Sequence, residues 1–166
     1  MSGATPPSAL SRAAAELAAA DAHGVAIVRG VDDVSFLVGD LFREVFGGPP
    51  PAEPLHYVAA RRLGPGRFEV AGYYHVTYRR EYALVGGLCV APAYRGRGIG
   101  ERLERIAFTD PRGVKAFFAY VGDPRRARRV GFRDTGREHL LVAWVEDVPD
   151  EERERIVAEV AALGPF

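Results

Sequence analysis

The stretch LCVAPAYRGRGIGERLERI, residues 88–106, joins a strand to a helix through a glycine-rich turn. Residues 88–90 end an apolar run, and Pro92 stops it because proline has no N–H for a sheet ladder. Apolar side chains then recur at helical spacing from Ile99 to Ile106. The stretch therefore predicts a strand, a turn and a helix in direct succession.

The turn between them has the composition of an anion site. A helix begins with backbone N–H groups that have no partner within the helix, and the helix dipole adds partial positive charge there. Gly96, Gly98 and Gly100 carry no Cβ, so a ligand can approach the backbone closely. Arg95 and Arg97 add full positive charges. These features together predict a phosphate-binding loop.

Two common nucleotide-binding motifs do not match this turn. A P-loop requires Lys followed by Ser or Thr after its last glycine, whereas Glu101 follows Gly100 here. A dinucleotide fingerprint has the spacing GxGxxG, whereas residues 96–100 read GRGIG. Spaced glycines alone are also compatible with an ordinary surface turn that leads into a helix.

The stretch does resemble the acyl-CoA loop of the GCN5-related N-acetyltransferases, the GNAT superfamily. Arg95, Gly98 and Gly100 occupy the loop positions of the family signature. The lead-in of that signature is matched by Leu88, Val90, Pro92 and Tyr94. The Gly131-Phe132 pair matches the Gly-Phe that members carry at the end of the helix after the fifth strand. The resemblance implies an α/β (α+β) fold, in which a mixed, mostly antiparallel sheet is flanked by helices.

The same resemblance implies acetyl-CoA as the cosubstrate. In the family the fourth and fifth strands separate, and the pantetheine arm pairs with the exposed edge of the fourth. Here residues 88–90 would make these backbone contacts, and the N–H groups of residues 95–100 would bind the pyrophosphate. The residues implied in binding acetyl-CoA are therefore Leu88, Cys89, Val90, Arg95, Gly96, Arg97, Gly98, Ile99 and Gly100.

Patterns on either side of the loop agree with this order of elements. Residues 55–90 have a β pattern, in which residues 68–78 are rich in aromatic and β-branched side chains. Turns at 64–66 and 79–81 divide this stretch into consecutive strands, which predicts an antiparallel meander. Residues 115–121 form the most apolar strand, which we expect at the centre of the sheet. A short basic helix and further strands follow.

A single domain accounts for the whole chain, residues 1–166. The GNAT-like core spans about residues 25–145, and helices near residues 8–22 and 149–163 are additions to it. A dimer contact is one role open to these helices. One helix carries an apolar stripe that we expect to face the core: Leu37, Leu41, Phe42, Val45 and Phe46. In the last helix, Ile156, Val160 and Leu163 fall on one face.

The composition indicates the cellular compartment and limits the classes of binding partner. A single cysteine, Cys89, rules out an internal disulfide and is consistent with a reducing cytoplasm. Its position within a strand predicts a small buried residue rather than a nucleophile. The formal net charge is zero and no apolar run spans a membrane, so we expect a cytoplasmic protein that binds neither nucleic acid nor membrane, and no metal.

The run RRARR at 125–129 is open to three interpretations: contact with CoA phosphates, contact with nucleic acid, or a solvated basic face.

The catalytic side chains do not follow the family pattern. Many members place a tyrosine four residues before the Gly-Phe pair, as the acid toward the thiolate, but Ala127 stands there. Tyr120, at the end of the fifth strand, is the nearest candidate acid. Some relatives carry a glutamate base on the fourth strand, where residues 86–87 are glycines. His75 on the third strand and Glu81 beside the turn into the fourth are the candidate bases.

Two functions remain open at this point. The first is acetyl transfer from acetyl-CoA to an amine of a small molecule or protein, directly, in a ternary complex. The second is a catalytically degenerate GNAT domain that binds acyl-CoA as a sensor or scaffold, which the missing tyrosine and glutamate motivate. Residues 33–54 and the loop after Tyr78 would line the acceptor side in this fold, and their low acid content argues against a strongly cationic acceptor. Five acids in or next to these segments keep the point open: Asp32, Asp33, Asp40, Glu44 and Glu53.

Overall fold

The computed structural model describes residues 24–31 and 34–166. The strands are β1 Val25–Arg29, β2 Leu55–Gly64, β3 Arg67–Tyr78, β4 Tyr82–Val90, β5 Ala116–Tyr120, β6 Arg133–Asp134 and β7 Leu140–Trp144. The α-helices are α1 Val34–Phe46, α2 Ile99–Ala107, α3 Arg125–Val130 and α4 Asp150–Leu163, and a 3-10 turn covers Pro92–Tyr94. The helix expected near residues 8–22 lies outside the described residues.

The seven strands form one mixed sheet in the order β1-β2-β3-β4-β5-β7-β6. Consecutive strands from β1 to β4 pair antiparallel, which confirms the meander predicted for residues 55–90. β4 and β5 pair parallel, and the two pairs beyond them are antiparallel. The sheet is therefore mixed and mostly antiparallel, as the resemblance implied.

β5 is an interior strand, but the central place in the sheet belongs to β4. Phe117 packs in the core on one face of the sheet and Phe118 in the core on the other, and both are fully buried. A strand that is covered on both faces reads as a continuous apolar run wherever it lies in the sheet. The expectation of a central position was wrong by one strand for this reason.

Helices cover both faces of the sheet. Leu103 of α2 and Ala127 of α3 pack with Tyr74 on one face. Phe42 of α1 packs with Tyr73 on the other face, where α4 covers the neighbouring part of the sheet. Tyr73 and Tyr74 point to opposite faces because side chains alternate along a strand.

Two apolar stripes extend beyond the core at the ends of their helices. Val45 and Phe46 at the end of α1 are 43% and 49% exposed, and Leu163 at the end of α4 is 54% exposed. The expectation that Val45 and Phe46 face the core was therefore wrong. Each lies in the last turn of its helix, where helical spacing alone does not tell whether a neighbouring element covers the side chain.

β4 and β5 pair over only part of their length. Residues 82–85 pair with residues 116–119, and the ladder between these strands stops there. β4 bends at this point, because Gly87 has a φ of +64° and the register with β3 shifts between Tyr73 and His75. The gap that opens between β4 and β5 positions the candidate site.

Candidate active site

The glycine-rich turn lies at the N-terminal end of α2. Gly96 and Gly98 have φ angles of +76° and +75°, a region that favours glycine over all other residues. Gly98 is the N-cap of α2, and no side chain caps the helix there. The first N–H groups of the helix are therefore left for a ligand, as expected for an anion site.

A cavity of about 450 Å³, which we call the loop cavity, opens in front of this turn. Eight of the nine residues predicted to bind acetyl-CoA line it. The ninth, Arg97, does not line it, because its guanidinium lies over the ring of Tyr94, 5.2 Å from the centroid. The structure thus brings the predicted donor residues together, with Arg97 stacked beside them.

Two arginines from the run RRARR also line the loop cavity. Arg126 Nε lies 3.0 Å from Glu104 Oε1, and Arg129 Nε lies 3.0 Å from Glu101 Oε1. The other two arginines of the run pair with aspartates and do not line the cavity. Of the three interpretations of this run, contact with an anionic ligand in the cavity is the one that the placement of these guanidinium groups favours.

A second cavity of about 330 Å³, the strand-gap cavity, occupies the separation between β4 and β5. Gly86 and Gly87 of β4 line one side, and Tyr120 of β5 lines the other. It shares Leu88 and Arg126 with the loop cavity, so the two adjoin. A ligand can therefore extend from the helix start into the gap between the strands.

Glu104 lines the strand-gap cavity, and sequence reasoning missed it. The residue is 4% exposed, and its Oε2 has no hydrogen-bond partner among the described residues. Burial raises the pKa of this carboxyl, while Arg126 opposes the shift. The only sequence signal was its spacing of three residues from the buried Ala107, which places it on the apolar face of α2.

Tyr120 and Ala127 face the strand-gap cavity from β5 and α3. The Tyr120 ring meets the Phe166 ring edge to face, with centroids 5.1 Å apart. Ala127, which is buried, supplies only a methyl group at the position where the family carries its tyrosine. Tyr120 is therefore the tyrosine that β5 contributes to the lining of this cavity.

A third cavity of about 410 Å³, the aromatic cavity, lies on the face of the sheet that α1 covers. It shares Phe46 and Gly87 with the strand-gap cavity. Its lining comes from α1, the loop before β2, the strands β3 and β4 and the last residue: Phe42, Phe46, Pro51, Pro54, His75, Thr77, Arg79, Leu84, Gly87 and Phe166.

The His75 imidazole lies between the glycines of β4 and a chain of buried polar groups. A Cβ on Gly86 would lie 3.2 Å from Nε2, and a Cβ on Gly87 would lie 2.6 Å from Nδ1. On its other side, Nδ1 lies 3.3 Å from the Tyr73 hydroxyl, which in turn lies 2.7 Å from Nδ1 of His56. The imidazole therefore packs directly against the two glycines.

The Tyr73 hydroxyl connects the two imidazoles through their Nδ1 atoms. Because a hydroxyl carries one proton, it donates to one of these nitrogens at a time, and the other imidazole donates its Nδ1–H to the hydroxyl oxygen. When His75 is that donor, its Nε2 atom carries the lone pair.

Burial keeps His75 neutral at ordinary pH. Desolvation, and to a lesser extent the neighbouring His56, lowers the pKa of His75 from 6.5 to about 4. Burial likewise lowers the pKa of His56. His75 is thus an unprotonated but weak base in the wall of the aromatic cavity.

Glu81, the other candidate base, is not brought to these cavities. It lies just before β4, five residues from Gly86, where Lys115 and Arg155 both contact its carboxylate. These two cations lower the pKa of Glu81, chiefly through their hydrogen bonds. Lys115 also contacts Glu152 of α4. The structure places Glu81 in an ionic network that joins α4 to the sheet.

Cys89 is 5% exposed, and burial raises the pKa of its thiol to about 11. It remains a neutral thiol at physiological pH, which agrees with the expectation of a small buried residue.

Among residues 24–31 and 34–166, no three His, Cys, Asp or Glu side chains come together as a metal-binding group. Within the described part of the chain, no helix has the length and apolar character needed to cross a membrane.

Comparison with known proteins agrees with this geometry. Residues 51–132 match the acetyltransferase (GNAT) family. The structure is similar to N-acetylglutamate synthase from Neisseria gonorrhoeae, complexed with coenzyme A and L-arginine, with a TM-score of 0.56 and 18% identity over 74% of this chain. The chain has the GNAT acyltransferase fold. It covers 34%, about a third, of that synthase.

Two further GNAT-fold structures extend the comparison. The GNAT family N-acetyltransferase YhbS from Escherichia coli, in complex with CoA, has a TM-score of 0.51 and 21% identity, covering 74% of this chain and 81% of YhbS. Tetrahymena GCN5 has a TM-score of 0.53 and 14% identity, covering 72% of this chain and 91% of GCN5. At these identities the likeness shows the fold alone. No curated protein matches the sequence.

Proposed function

We propose that this protein is an acetyltransferase that moves an acetyl group from acetyl-CoA directly to an amine. The observation that carries the proposal is the succession of three adjoining cavities, of which the last two share Gly87. A thioester in the strand-gap cavity and an amine in the aromatic cavity would meet at this residue. The match of residues 51–132 to the acetyltransferase (GNAT) family supports the same reaction.

The donor half of the site would hold acetyl-CoA along the first two cavities. The N–H groups at the start of α2, with Arg126 and Arg129, would bind the phosphates. The backbone of β4 beyond Val85 has no ladder partner in β5, so it is free to pair with the amide groups of the pantetheine arm. The acetyl group would then lie beside Gly86 and Gly87.

The reaction needs one proton removed and one returned. The amine nitrogen attacks the thioester carbonyl carbon, a C–N bond forms, and the C–S bond breaks to release the CoA thiolate. The proton lost from nitrogen passes to Nε2 of His75, which lies beside Gly86, in the tautomer whose Nδ1–H is donated to Tyr73. The thiolate takes its proton from the Tyr120 hydroxyl across the strand gap or from water. No covalent enzyme intermediate is formed.

A direct assay tests this proposal. The protein is incubated with acetyl-CoA and a panel of primary amines, and free thiol is followed over time. We expect thiol release that depends on an acceptor, and a loss of about tenfold or more in kcat for His75→Gln with acetyl-CoA binding retained. The matched control is His139→Asn, at an exposed histidine with a φ of +60°, which asparagine tolerates.

The sensor hypothesis makes a different prediction in the same experiment. Calorimetric binding of acetyl-CoA, with no thiol release on any acceptor of the panel, would contradict the proposed reaction. Such a result would identify the chain as an acyl-CoA-binding domain without catalysis. Thiol release that His75→Gln leaves unchanged would remove His75 from the mechanism and leave the reaction itself in place.

A further inference from the structure

We infer that the acceptor is a small, mainly apolar amine that carries a carboxylate, with the carboxylate against Arg79 and the nitrogen against His75. This inference rests on the proposed function and names the substrate class of the same site. It follows from what lines the aromatic cavity and from what does not line it.

The wall of the aromatic cavity is mainly apolar. Phe42, Phe46 and Phe166 contribute three aromatic rings, and two prolines add rigid apolar surface. Its volume of about 410 Å³ lies within the range of small-molecule pockets. Apolar acceptors gain free energy here by leaving water, whereas a strongly hydrated acceptor would gain little.

No Asp or Glu side chain lines this cavity among the described residues. Asp40, Glu44 and Glu53, from the segment predicted to line the acceptor side, are exposed and lie outside its wall. A polyamine or another multiply charged cation would lose hydration in the cavity and find no acidic side chain to replace it. The lining therefore selects against such acceptors.

One charged side chain lines the aromatic cavity among the described residues, and it is positive. Arg79 follows the end of β3 and is exposed at the cavity, while the next residue, Arg80, is also exposed but does not line it. A guanidinium binds a carboxylate through two parallel hydrogen bonds. Thr77 and His75 are the other polar side chains of the wall, so polar groups follow β3 from the rim towards Gly87.

The weak basicity of His75 agrees with this class of acceptor. Because burial lowers the pKa of His75 to about 4, this imidazole does not deprotonate an alkylammonium group efficiently. An acceptor that reaches the cavity with a neutral nitrogen needs no such step. Its attack on the thioester makes the nitrogen acidic, and a weak base then suffices.

Matched pairs of acceptors test the inference. Each pair differs only in a carboxylate: 4-aminobenzoate with aniline, and 4-(aminomethyl)benzoate with benzylamine. Spermidine represents the cationic class. We expect the carboxylate member of at least one pair to have a kcat/KM about tenfold or more above its partner, because a charge-assisted hydrogen bond contributes that much. Spermidine should be the poorest acceptor.

The variant Arg79→Gln separates the contribution of the guanidinium. It should bring the ratio within each pair close to one and leave acetyl-CoA binding unchanged, whereas Arg80→Gln should leave the ratio as in the original protein. A preference for spermidine, or equal rates within both pairs, would overturn the inference while the proposed reaction stands. Thiol release with no acceptor at all would instead count against the proposed function.

Discussion

The Nδ1 atom of His75 occupies the space that a side chain on Gly87 would need, since a Cβ there would lie 2.6 Å from it. Gly87 also has a φ of +64°, which disfavours any residue with a Cβ. The bend of β4 and the position of the imidazole therefore depend on each other. The strand bends where it has no side chain, and the histidine fills the space that this leaves.

Replacing Gly87 by alanine should displace His75 and reduce acetyl transfer. Both the positive φ and the 2.6 Å contact oppose the new methyl group, so the free energy of unfolding should also fall by roughly 1–3 kcal/mol. The measurements are kcat and denaturant unfolding. Gly64→Ala is the control, because a Cβ there meets nothing within 4 Å and the backbone has no positive φ. Equal activity in both variants would contradict the role of the bend.

Two substitutions at Gly100 should distinguish the effect of added volume from the effect of added negative charge on acetyl-CoA binding. A Cβ at Gly100 would lie 3.6 Å from Val90 and 3.9 Å from Arg126, which are ordinary contacts. Gly100→Ala should therefore retain acetyl-CoA binding, whereas Gly100→Glu should weaken it about tenfold or more by placing an anion beside the phosphates. Calorimetric titration with acetyl-CoA provides the comparison. If the glutamate variant binds as well as the alanine variant, phosphate does not bind at this helix start.

Tyr73→Phe should reduce kcat through His75 without affecting the donor. The Tyr73 hydroxyl is hydrogen-bonded to Nδ1 of His75, and without it this nitrogen loses the partner that orients the imidazole. We expect kcat to fall about tenfold with the KM for acetyl-CoA unchanged, a split that a general loss of structure would not give. Tyr82→Phe is the control, since its hydroxyl contacts Glu159 of α4, away from the three cavities. An unchanged kcat in Tyr73→Phe would argue against a role for this hydrogen bond in the reaction.

The folded protein should lose stability below neutral pH because His75 stays neutral when folded. The pKa of His75 is 6.5 when unfolded and about 4 when folded, so its stabilising contribution is complete above pH 6.5 and is lost as the pH falls towards 4. Between pH 6.5 and 5 this loss amounts to about 2 kcal/mol at most. Denaturant unfolding at several pH values should give a shallower dependence for His75→Gln. The same slope in both proteins would show that the imidazole is readily protonated in place.

Loss of Arg126 should lower the free energy of unfolding by more than loss of the charge on Glu104. Arg126→Ala leaves a buried carboxylate alone and should destabilise the fold by roughly 1–3 kcal/mol. Glu104→Gln removes the buried charge and should cost less, and adding it to Arg126→Ala should recover part of the loss. Because burial raises the pKa of Glu104, the penalty in Arg126→Ala should grow as the pH rises and the carboxyl ionises. Equal losses in both single variants would contradict this ordering.

The features that could be predicted from the sequence are local ones. The meander depends on strand-forming residues and tight turns, and the loop cavity depends on glycines and arginines that lie within a few residues of one another. Eight of the nine predicted donor residues line that cavity for this reason. Arg97 differs because its side chain had a neighbouring ring, Tyr94, on which to stack.

The acceptor half of the site could not be predicted in the same way, because distant segments build it. Phe46 ends a helix, Arg79 follows a strand, and Phe166 is the last residue, yet all three line one cavity. The role of His75 depends on Tyr73 two residues earlier and on His56 in another strand. No periodicity relates such residues, so their cooperation becomes visible only when the strands are paired.

The early end of the ladder between β4 and β5 has a consequence for the protein without its ligand. Past Val85 and Ala119 the sheet carries an open edge in its interior, and half-buried backbone groups of β4 face it without a neighbouring strand. Open edges invite extended segments of other chains, which is how self-association and aggregation begin. A bound pantetheine arm would act as the missing strand. The cosubstrate would thereby protect the folded chain from aggregation as well as supply its acetyl group.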